Sequence, residues 1–213
     1  MFPTRRIITM GGDVFRDEFS LAFDGSNDHL NGGNPSTLQL GEADTTFSFW
    51  YKPTADSGYL ISKRDGAAGL YSVFQEADGQ HRFYIGTTSA VGSNFGTALE
   101  LGAWNHLVMV FDLSATSLTK YINGKFDAVN TSATGSSIDD AQAWRINGRF
   151  GAGDAMTGNS DPIVFSMSDV AIYNKALSAS EVATIYNGRE PYNHKEGVCS
   201  SNLKAWWRMG DGD

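Results

Sequence analysis

Short apolar or alternating runs, separated by turn-forming residues, are the feature of this sequence that most constrains its fold. Each run is bounded by glycine, aspartate, asparagine or proline, and most have the roughly four to eight residues of a β-strand. The runs are 19–23, 47–52, 59–63, 70–75, 81–86, 105–112, 117–122, 125–129, 144–147 and 162–173. In 105–112 apolar residues occupy both alternating faces, which is typical of a central strand buried on both sides. Together with the 24 glycines and 13 phenylalanines, these runs predict an all-β protein.

A hairpin is predicted where the runs 117–122 and 125–129 flank Asn123-Gly124. Asparagine and glycine tolerate the positive φ angles that a type I′ turn requires at both central positions. Because no helices lie between the runs, antiparallel strands in two stacked sheets are favoured over a parallel α/β sheet.

One short helix is predicted after the last long run. Ser178 is suited to the N-cap and Glu181 follows three residues later, which is the pattern of a capping box. The apolar stripe and the residues that end the helix are Val182, Ile185, Tyr186, Gly188 and Pro191. We expect this helix to pack on a sheet.

Length, charge and cysteine content narrow the classes of function. A chain of 213 residues is long enough for one domain with its own core. The net charge of −8, without a basic stripe, argues against nucleic acid as a partner. Cys199 is the single cysteine, so no internal disulfide can form. No segment approaches the roughly 20 apolar residues of a membrane span, and the start lacks the apolar stretch of a signal peptide, so no membrane insertion is expected.

Six segments carry a family resemblance. They are FSLAFDGSNDHL, FSFWYKP, YLISKRDG, AWNHLVMVFD, KYINGKFDA and VAIYNKALSASEVATIYNG. In this order they resemble laminin-G-like, concanavalin A-like domains from Phe19 to Gly188. The matched positions are Phe23, Asp24, Gly25, Asp28, Trp50, Pro53, Trp104, His106, Tyr121, Asn123, Gly124, Tyr173, Leu177, Ser178, Glu181, Val182 and Tyr186. The resemblance implies a jelly-roll sandwich of two antiparallel sheets, one of them curved, with one short helix near its C-terminal end.

The chain is expected to have three parts. We expect an extended N-terminal arm at 1–18, the sandwich at 19–190, and a C-terminal extension at 191–213. The extension contains a further predicted edge strand at 203–209, with Trp206 and Trp207 facing opposite sides. The arm is a candidate tether.

The sequence does not favour catalysis. Glycosidases of the laminarinase type share this sandwich, but they need alternating carboxylates, Glu-x-Asp-x-Glu, so that acid and nucleophile face one cleft. That run is absent from the sequence. His106 has no neighbouring serine, cysteine or carboxylate pattern of a triad, and we expect a structural hydrogen-bonding role for it. The chain is therefore predicted not to be an enzyme.

Calcium is the cofactor that the resemblance implies, because relatives often hold it through aspartates and loop carbonyls. One candidate set is Asp24 and Asp28 with Asp169. In a second set, Asp65 approaches Asp154, by analogy with the family alone. The alternative is that these aspartates serve turns, which Asp-Gly and Asn-Asp contexts also favour.

A ligand-binding rim is the other candidate site. Sugar binding needs aromatic platforms beside carboxylates or amides that read hydroxyl groups. The candidates are Asp65, Tyr71, Trp144, Phe150, Asp154 and Asn159. The long, polar segment 151–161 is the best loop candidate, although it also fits a plain connection, and the aromatic residues also fit core positions.

Three functions follow as hypotheses. LKAWWRMGDGD, from Leu203, is similar to a strand in laminin-G-like proteins of marine bacteria and tailed phages. We therefore expect a virion structural or decoration protein, made in the host cytoplasm and joined to other virion proteins or to itself through the arm. The alternative is an adhesin module that binds cell-surface glycans, with or without calcium. A glycosidase is the third hypothesis and lacks an acid pair.

Overall fold

In the computed structural model the described residues are 19–41, 43–65, 68–85, 95–133, 142–149 and 162–209, with the backbone alone at 64, 65 and 68–70. The predicted arm and the predicted rim residues Phe150, Asp154 and Asn159 lie outside these residues, as does the side chain of Asp65. The strands are β1 (Leu21–Asp24), β2 (Leu30–Gly33), β3 (Thr45–Lys52), β4 (Gly58–Asp65), β5 (Ala68–Gln75), β6 (His81–Ile85), β7 (Asn105–Asp112), β8 (Ser117–Ile122), β9 (Lys125–Asn130), β10 (Trp144–Ile146), β11 (Val164–Tyr173) and β12 (Leu203–Trp207). One α-helix, α1 (Ala179–Tyr186), lies in this part of the chain, where no helix is long and apolar enough to span a membrane.

Two antiparallel sheets form a sandwich. The seven-stranded sheet has the order β1-β11-β3-β7-β8-β9, and β12 also pairs with β11. The five-stranded sheet has the order β2-β10-β4-β5-β6. Strands β1 and β12 share one edge of β11, because β1 pairs with its first half, β12 with its second half, and β3 with its other edge. The predicted all-β sandwich of two antiparallel sheets is confirmed.

The main core lies between the two sheets and is rich in aromatic rings. Phe47 from the seven-stranded sheet meets Tyr71 and Trp144 from the five-stranded sheet, with ring centroids 5.3 and 5.7 Å apart. Tyr71 and Trp144 are only 1% and 2% exposed. The prediction that these two rings form exposed platforms at a rim is therefore wrong. Burying a large ring contributes about 1.5–3 kcal/mol, and strand alternation directs both rings inward at these positions.

A second core covers the outer face of the seven-stranded sheet. Strand β7 sends Leu107 and Met109 into the main core and Val108 into this second cluster, as expected for a strand buried on both sides. Helix α1 contributes Val182 and Ile185 to the same cluster. The helix therefore packs on the sheet as predicted.

Two local predictions are confirmed in detail. The predicted hairpin forms between β8 and β9, and Asn123 and Gly124 both have positive φ angles, of 52° and 74°. The capping box is complete, because the Ser178 side chain accepts from the Glu181 N–H while the Glu181 carboxylate accepts from the Ser178 N–H.

Replacing Ser178 with alanine is expected to lower the free energy of unfolding by about 1 kcal/mol, because the change removes the acceptor for the Glu181 N–H. Urea unfolding of the two proteins measures the difference. Ser201→Ala is the matched control, since Ser201 is exposed and caps no α-helix. An equal loss in both variants would contradict a role for this cap.

Candidate functional site

The outer face of the five-stranded sheet carries a mixed row of aromatic and basic side chains. Tyr59 on β4 pairs with Phe74 on β5, and Phe74 pairs with Arg82 on β6. Directly opposed residues on neighbouring strands share a face of the sheet, so these three side chains form one row. Tyr59 belongs to neither hydrophobic core, which places the row on the side away from the seven-stranded sheet.

The side chains of this row are in contact. The rings of Tyr59 and Phe74 meet edge to face with centroids 4.9 Å apart, and Tyr84 lies 6.3 Å from Tyr59. The guanidinium of Arg82 lies 5.7 Å from the centre of the Phe74 ring, and that of Arg149 lies 5.6 Å from the centre of the Tyr59 ring. We call these five residues the outer aromatic cluster. Phe74 and Tyr84 are half-buried, so part of each ring faces solvent.

A second row beside the cluster is polar. Ser62, Ser72 and Tyr84 oppose one another across β4, β5 and β6, and Arg145 on β10 opposes Ser62. Ser62 donates to the carbonyl of Gly148 at 2.8 Å. The hydroxyl of Ser72, a residue only 2% exposed, has no hydrogen-bond partner among the described residues. Arg145 is fully buried and donates from Nη1 to the Arg149 carbonyl at 3.4 Å.

This arrangement suits a molecule with one apolar face and several hydroxyl groups. An aromatic ring offers an apolar surface, and guanidinium N–H groups donate in a fixed planar geometry. Sugar rings have both features, because their C–H groups lie on one face and their hydroxyls project at the edge. The outer aromatic cluster can therefore hold a sugar ring by stacking and orient it by hydrogen bonds.

The described residues that were predicted for the rim do not belong to the outer aromatic cluster. Trp144 lines a cavity of about 160 Å³ between β2 and β12, together with Trp207. The backbone of Asp65 lies six residues along β4 from Tyr59, which is about 20 Å at the rise of a strand. The predicted recognition segment 151–161 begins two residues after Arg149 in the chain.

The outer aromatic cluster was missed by the sequence prediction, which sought aromatic platforms in loops. A signal for it exists in HRFYI, the sequence of β6. His81, Phe83 and Ile85 are buried, whereas Arg82 and Tyr84 alternate with them and are only half-buried. This period of two marks Arg82 and Tyr84 as outward residues of one strand.

The three aspartates predicted to bind calcium are not brought together. Asp28 Oδ2 accepts from the Asp24 N–H at 3.2 Å, and Asp24 Oδ1 accepts from the Ser26 N–H at 2.8 Å, which is turn chemistry. Asp24 pairs with Val164, and Asp169 lies five residues further along β11, about 16 Å away at the rise of a strand. Within the described ranges, no group of three or more His, Cys, Asp or Glu side chains could hold a metal ion.

Asp169 belongs instead to a buried polar cluster under the C-terminal segment. Its Oδ1 accepts from Trp206 Nε1 at 2.5 Å, and its Oδ2 lies 3.3 Å from His194 Nε2. The other nitrogen of His194 bonds the hydroxyl of Tyr173. Burial raises the pKa of Tyr173, so its hydroxyl keeps its proton and donates to His194. These contacts hold β12 and the segment before it against the seven-stranded sheet.

His106 lies in the same outer layer and is only 1% exposed. Its Nε2 is 2.8 Å from the hydroxyl of Ser48, and its ring stacks on Trp50 and Tyr186. Burial, more than the neighbouring His194, lowers the pKa of His106 to about 3, against the opposing effect of Asp169. The hydrogen bond and the ring contacts support the structural role predicted for His106.

The sequence of this chain matches a family model. That model describes the concanavalin A-like lectin/glucanases superfamily, and it matches residues 24–183. A comparison with the curated proteins finds no match. The heptameric pentraxin of Limulus polyphemus is 18% identical, with a TM-score of 0.57 over 78% of this chain and 81% of that one.

Two further solved structures share the fold. A "putative carbohydrate binding protein" from Bacteroides ovatus is 15% identical, with a TM-score of 0.63 over 89% of this chain and 52% of that one. The binding domain of botulinum neurotoxin serotype D is 14% identical, with a TM-score of 0.58 over 80% of this chain and 42% of that one. The chain thus spans about half of these two proteins or less, and at such identities the likeness shows the fold alone.

The match covers most of the chain and agrees with the two antiparallel sheets, the hairpin at Asn123-Gly124 and the capped helix. The chain belongs to the concanavalin A-like lectin/glucanases superfamily.

Proposed function

We propose that this chain is a non-catalytic carbohydrate-binding module, and that its glycan lies on the outer aromatic cluster of the five-stranded sheet. The observation that carries the proposal is the packing of Tyr59 against two half-buried rings, Phe74 and Tyr84. Arg82 lies over the ring of Phe74, and Arg149 lies over that of Tyr59. Aromatic rings beside a few polar groups are the usual lining of a ligand site. The carbohydrate-binding protein among the structural neighbours supports the same class of function.

The cluster supplies the two kinds of contact that a sugar needs. Phe74 and Tyr84 offer ring faces for the C–H groups of a pyranose. Arg82, with 41% of its side chain exposed, offers guanidinium N–H groups for its hydroxyls. The rigid sheet fixes these positions before binding, which reduces the entropy that binding costs.

Display on a virion is the wider role that we propose for this module. It rests on the resemblance of the C-terminal strand to phage proteins, and it assigns the tether to residues 1–18. Calcium also stays a prediction, and glycan binding with and without a chelator tests it. We propose no hydrolysis, so no release of reducing sugar is expected from any glycan that binds.

Replacing Phe74 with alanine is expected to weaken glycan binding about tenfold, or about 1.4 kcal/mol, because the change removes one stacking surface. The measurement is affinity electrophoresis of the full chain in gels that contain a panel of polysaccharides. Thermal unfolding of the variant confirms that it is folded.

Phe126→Ala is the matched control for this substitution. Phe126 is 60% exposed and lies on β9, at the edge of the other sheet. Its loss is expected to leave binding unchanged. Equal weakening by both substitutions, or no binding of any glycan by the wild-type chain, would contradict the proposed site.

A further inference from the structure

A small cavity lies between the edges of the two sheets. Its volume is about 160 Å³, and it lies between β2, at the edge of the five-stranded sheet, and β12 of the seven-stranded sheet. Both sheets contribute to its lining. The apolar side chains are Leu30, Ile61, Trp144, Ile146 and Trp207, and Gly32 lies among them. The outer aromatic cluster shares none of these residues.

The cavity has a buried floor and a more open mouth. Ile61, Trp144 and Ile146 are buried members of the main core and form the floor. Leu30 and Trp207 are half-buried side chains that pack against the same core. A ligand can therefore enter between β2 and β12 and reach the core without unfolding either sheet.

The ring of Trp144 is held in place by the core. It stacks on Tyr71, with centroids 5.6 Å apart and planes 19° apart. Its Nε1 donates to the carbonyl of Leu38 at 3.3 Å, so the polar group of the ring is already bonded. The floor is thus formed before a ligand arrives, which reduces the entropy that binding costs.

The missing side chain of Gly32 keeps space between the two tryptophans. Trp144 pairs with Gly33 and Arg145 pairs with Asn31, so Gly32 is the extra residue of a bulge in β2. A Cβ at Gly32 would lie 3.3 Å from Trp144 Cβ and 3.5 Å from Trp207 Cζ2. Any larger residue at this position would narrow the mouth.

Two polar residues, Asn31 and Arg145, also border the cavity. Both side chains form hydrogen bonds within the sheet, since Asn31 Oδ1 accepts from the Gly33 N–H at 2.9 Å and Arg145 Nη1 donates to the Arg149 carbonyl at 3.4 Å. The rest of the lining is apolar. A hydroxyl-rich ligand such as a sugar would lose its hydration there for few hydrogen bonds in return, so the lining favours an apolar ligand.

We propose that this cavity binds a small, neutral aromatic molecule with a single six-membered ring. An apolar cavity of about 150 Å³ is large enough for benzene, whereas drug-sized ligands occupy pockets of about 300 Å³ or more. The rings of Trp144 and Trp207 favour an aromatic ligand through edge-to-face or offset contacts. Because these tryptophans belong to different sheets, the ligand also joins β12 to the five-stranded sheet.

The test is an NMR titration of the full, isotope-labelled chain with benzene, read at the indole N–H signals of its five tryptophans. Saturable shifts are expected to be largest at Trp144 and Trp207, with a dissociation constant of about 1 mM or lower. Trp50, which stacks on His106 and Tyr186 in the outer layer, is expected to stay unchanged. Naphthalene and glucose are expected to cause no such shifts, because one is too large and the other too polar.

Two substitutions change the size of the cavity in opposite directions. Gly32→Ala is expected to weaken benzene binding at least tenfold, because the added methyl group narrows the mouth. Leu30→Ala removes bulk from the lining and is expected to admit naphthalene. Ala183→Val is the matched control, since it adds bulk at an exposed position of α1 and is expected to leave benzene binding unchanged. Thermal unfolding without ligand shows whether each variant is folded.

Three outcomes overturn the inference. The first is the absence of saturable shifts at Trp144 and Trp207 when benzene is added to the wild-type chain. The second is equal benzene binding by the wild type and a folded Gly32→Ala variant, which would place the ligand elsewhere. The third is a larger shift at these two tryptophans with glucose than with benzene, which would make the ligand polar. If Gly32→Ala does not fold, the exclusion of naphthalene by Leu30→Ala takes the place of the second outcome.

Discussion

Replacing Asp169 with alanine is expected to lower the free energy of unfolding by about 3–5 kcal/mol, the largest effect of any substitution considered for this chain. Asp169 is 4% exposed and accepts from Trp206 Nε1 at 2.5 Å. Its other oxygen lies 3.3 Å from Nε2 of His194, which is fully buried. The substitution leaves two buried donors without an acceptor, and each such donor costs about 1–3 kcal/mol.

The backbone adds to this cost. Asp169 lies at a bulge in β11, where the register with β3 shifts between Ser168 and Ala171, and its φ angle is 52°. Aspartate and asparagine adopt this left-handed conformation more easily than alanine does. Asp169→Asn keeps the shape and the backbone preference, so a smaller loss is expected from it than from Asp169→Ala.

Urea unfolding of Asp169→Ala, Asp169→Asn and the wild type measures these differences. Glu190→Ala is the control, because Glu190 is an exposed carboxylate in the segment after α1. Hydrogen exchange is expected to speed up most in β12, which the cluster holds against β11. A loss in Asp169→Ala no greater than in Glu190→Ala would contradict the role given to this cluster.

Acid is expected to destabilise the fold from about pH 6.5 downward, because buried histidines must stay neutral. The pKa of His106 is lowered to about 3 in the folded chain, and burial also lowers the pKa of His81, followed by the charge of Lys120. An unfolded histidine has a pKa of about 6.5, so below that pH the unfolded chain binds the extra proton. The stability that neutral His106 provides is present above pH 6.5 and is lost as the pH falls toward 3.

The expected size is about 2 kcal/mol between pH 7 and pH 5 from His106 alone, since 1.5 pH units below 6.5 are worth about 1.36 kcal/mol each. Urea unfolding at a series of pH values measures this slope. His106→Gln removes the group from both states, so its stability is expected to fall with a shallower slope over the same range. An unchanged slope would show that His106 does not carry the acid sensitivity.

Local sequence patterns were sufficient to predict most of the strands in the two sheets. The turn at Asn123-Gly124 and the cap at Ser178 are fixed by contacts within a few residues, which a sequence displays directly. Strand β2 was missed because its sequence, LNGG, has three residues with low strand propensity. It forms through pairing with β10, a contact that the local sequence does not show.

The candidate site was harder to predict, because it depends on register. Tyr59, Phe74 and Arg82 come from three strands, and only the pairing of those strands places them in one row. Tyr71 and Trp144 have the same residue types as a sugar platform but face the core. A shift of one residue in a strand exchanges inward and outward side chains, so composition alone cannot assign them.

The most direct test of the central claim is an NMR titration of the full, isotope-labelled chain with a glycan that it binds. The largest shifts in backbone amide signals are expected at Tyr59, Phe74, Arg82 and Tyr84, while Phe126 and Arg189 stay unchanged. Largest shifts on β8, β9 or α1, with the signals of β4, β5 and β6 unmoved, would contradict a glycan site on the outer face of the five-stranded sheet.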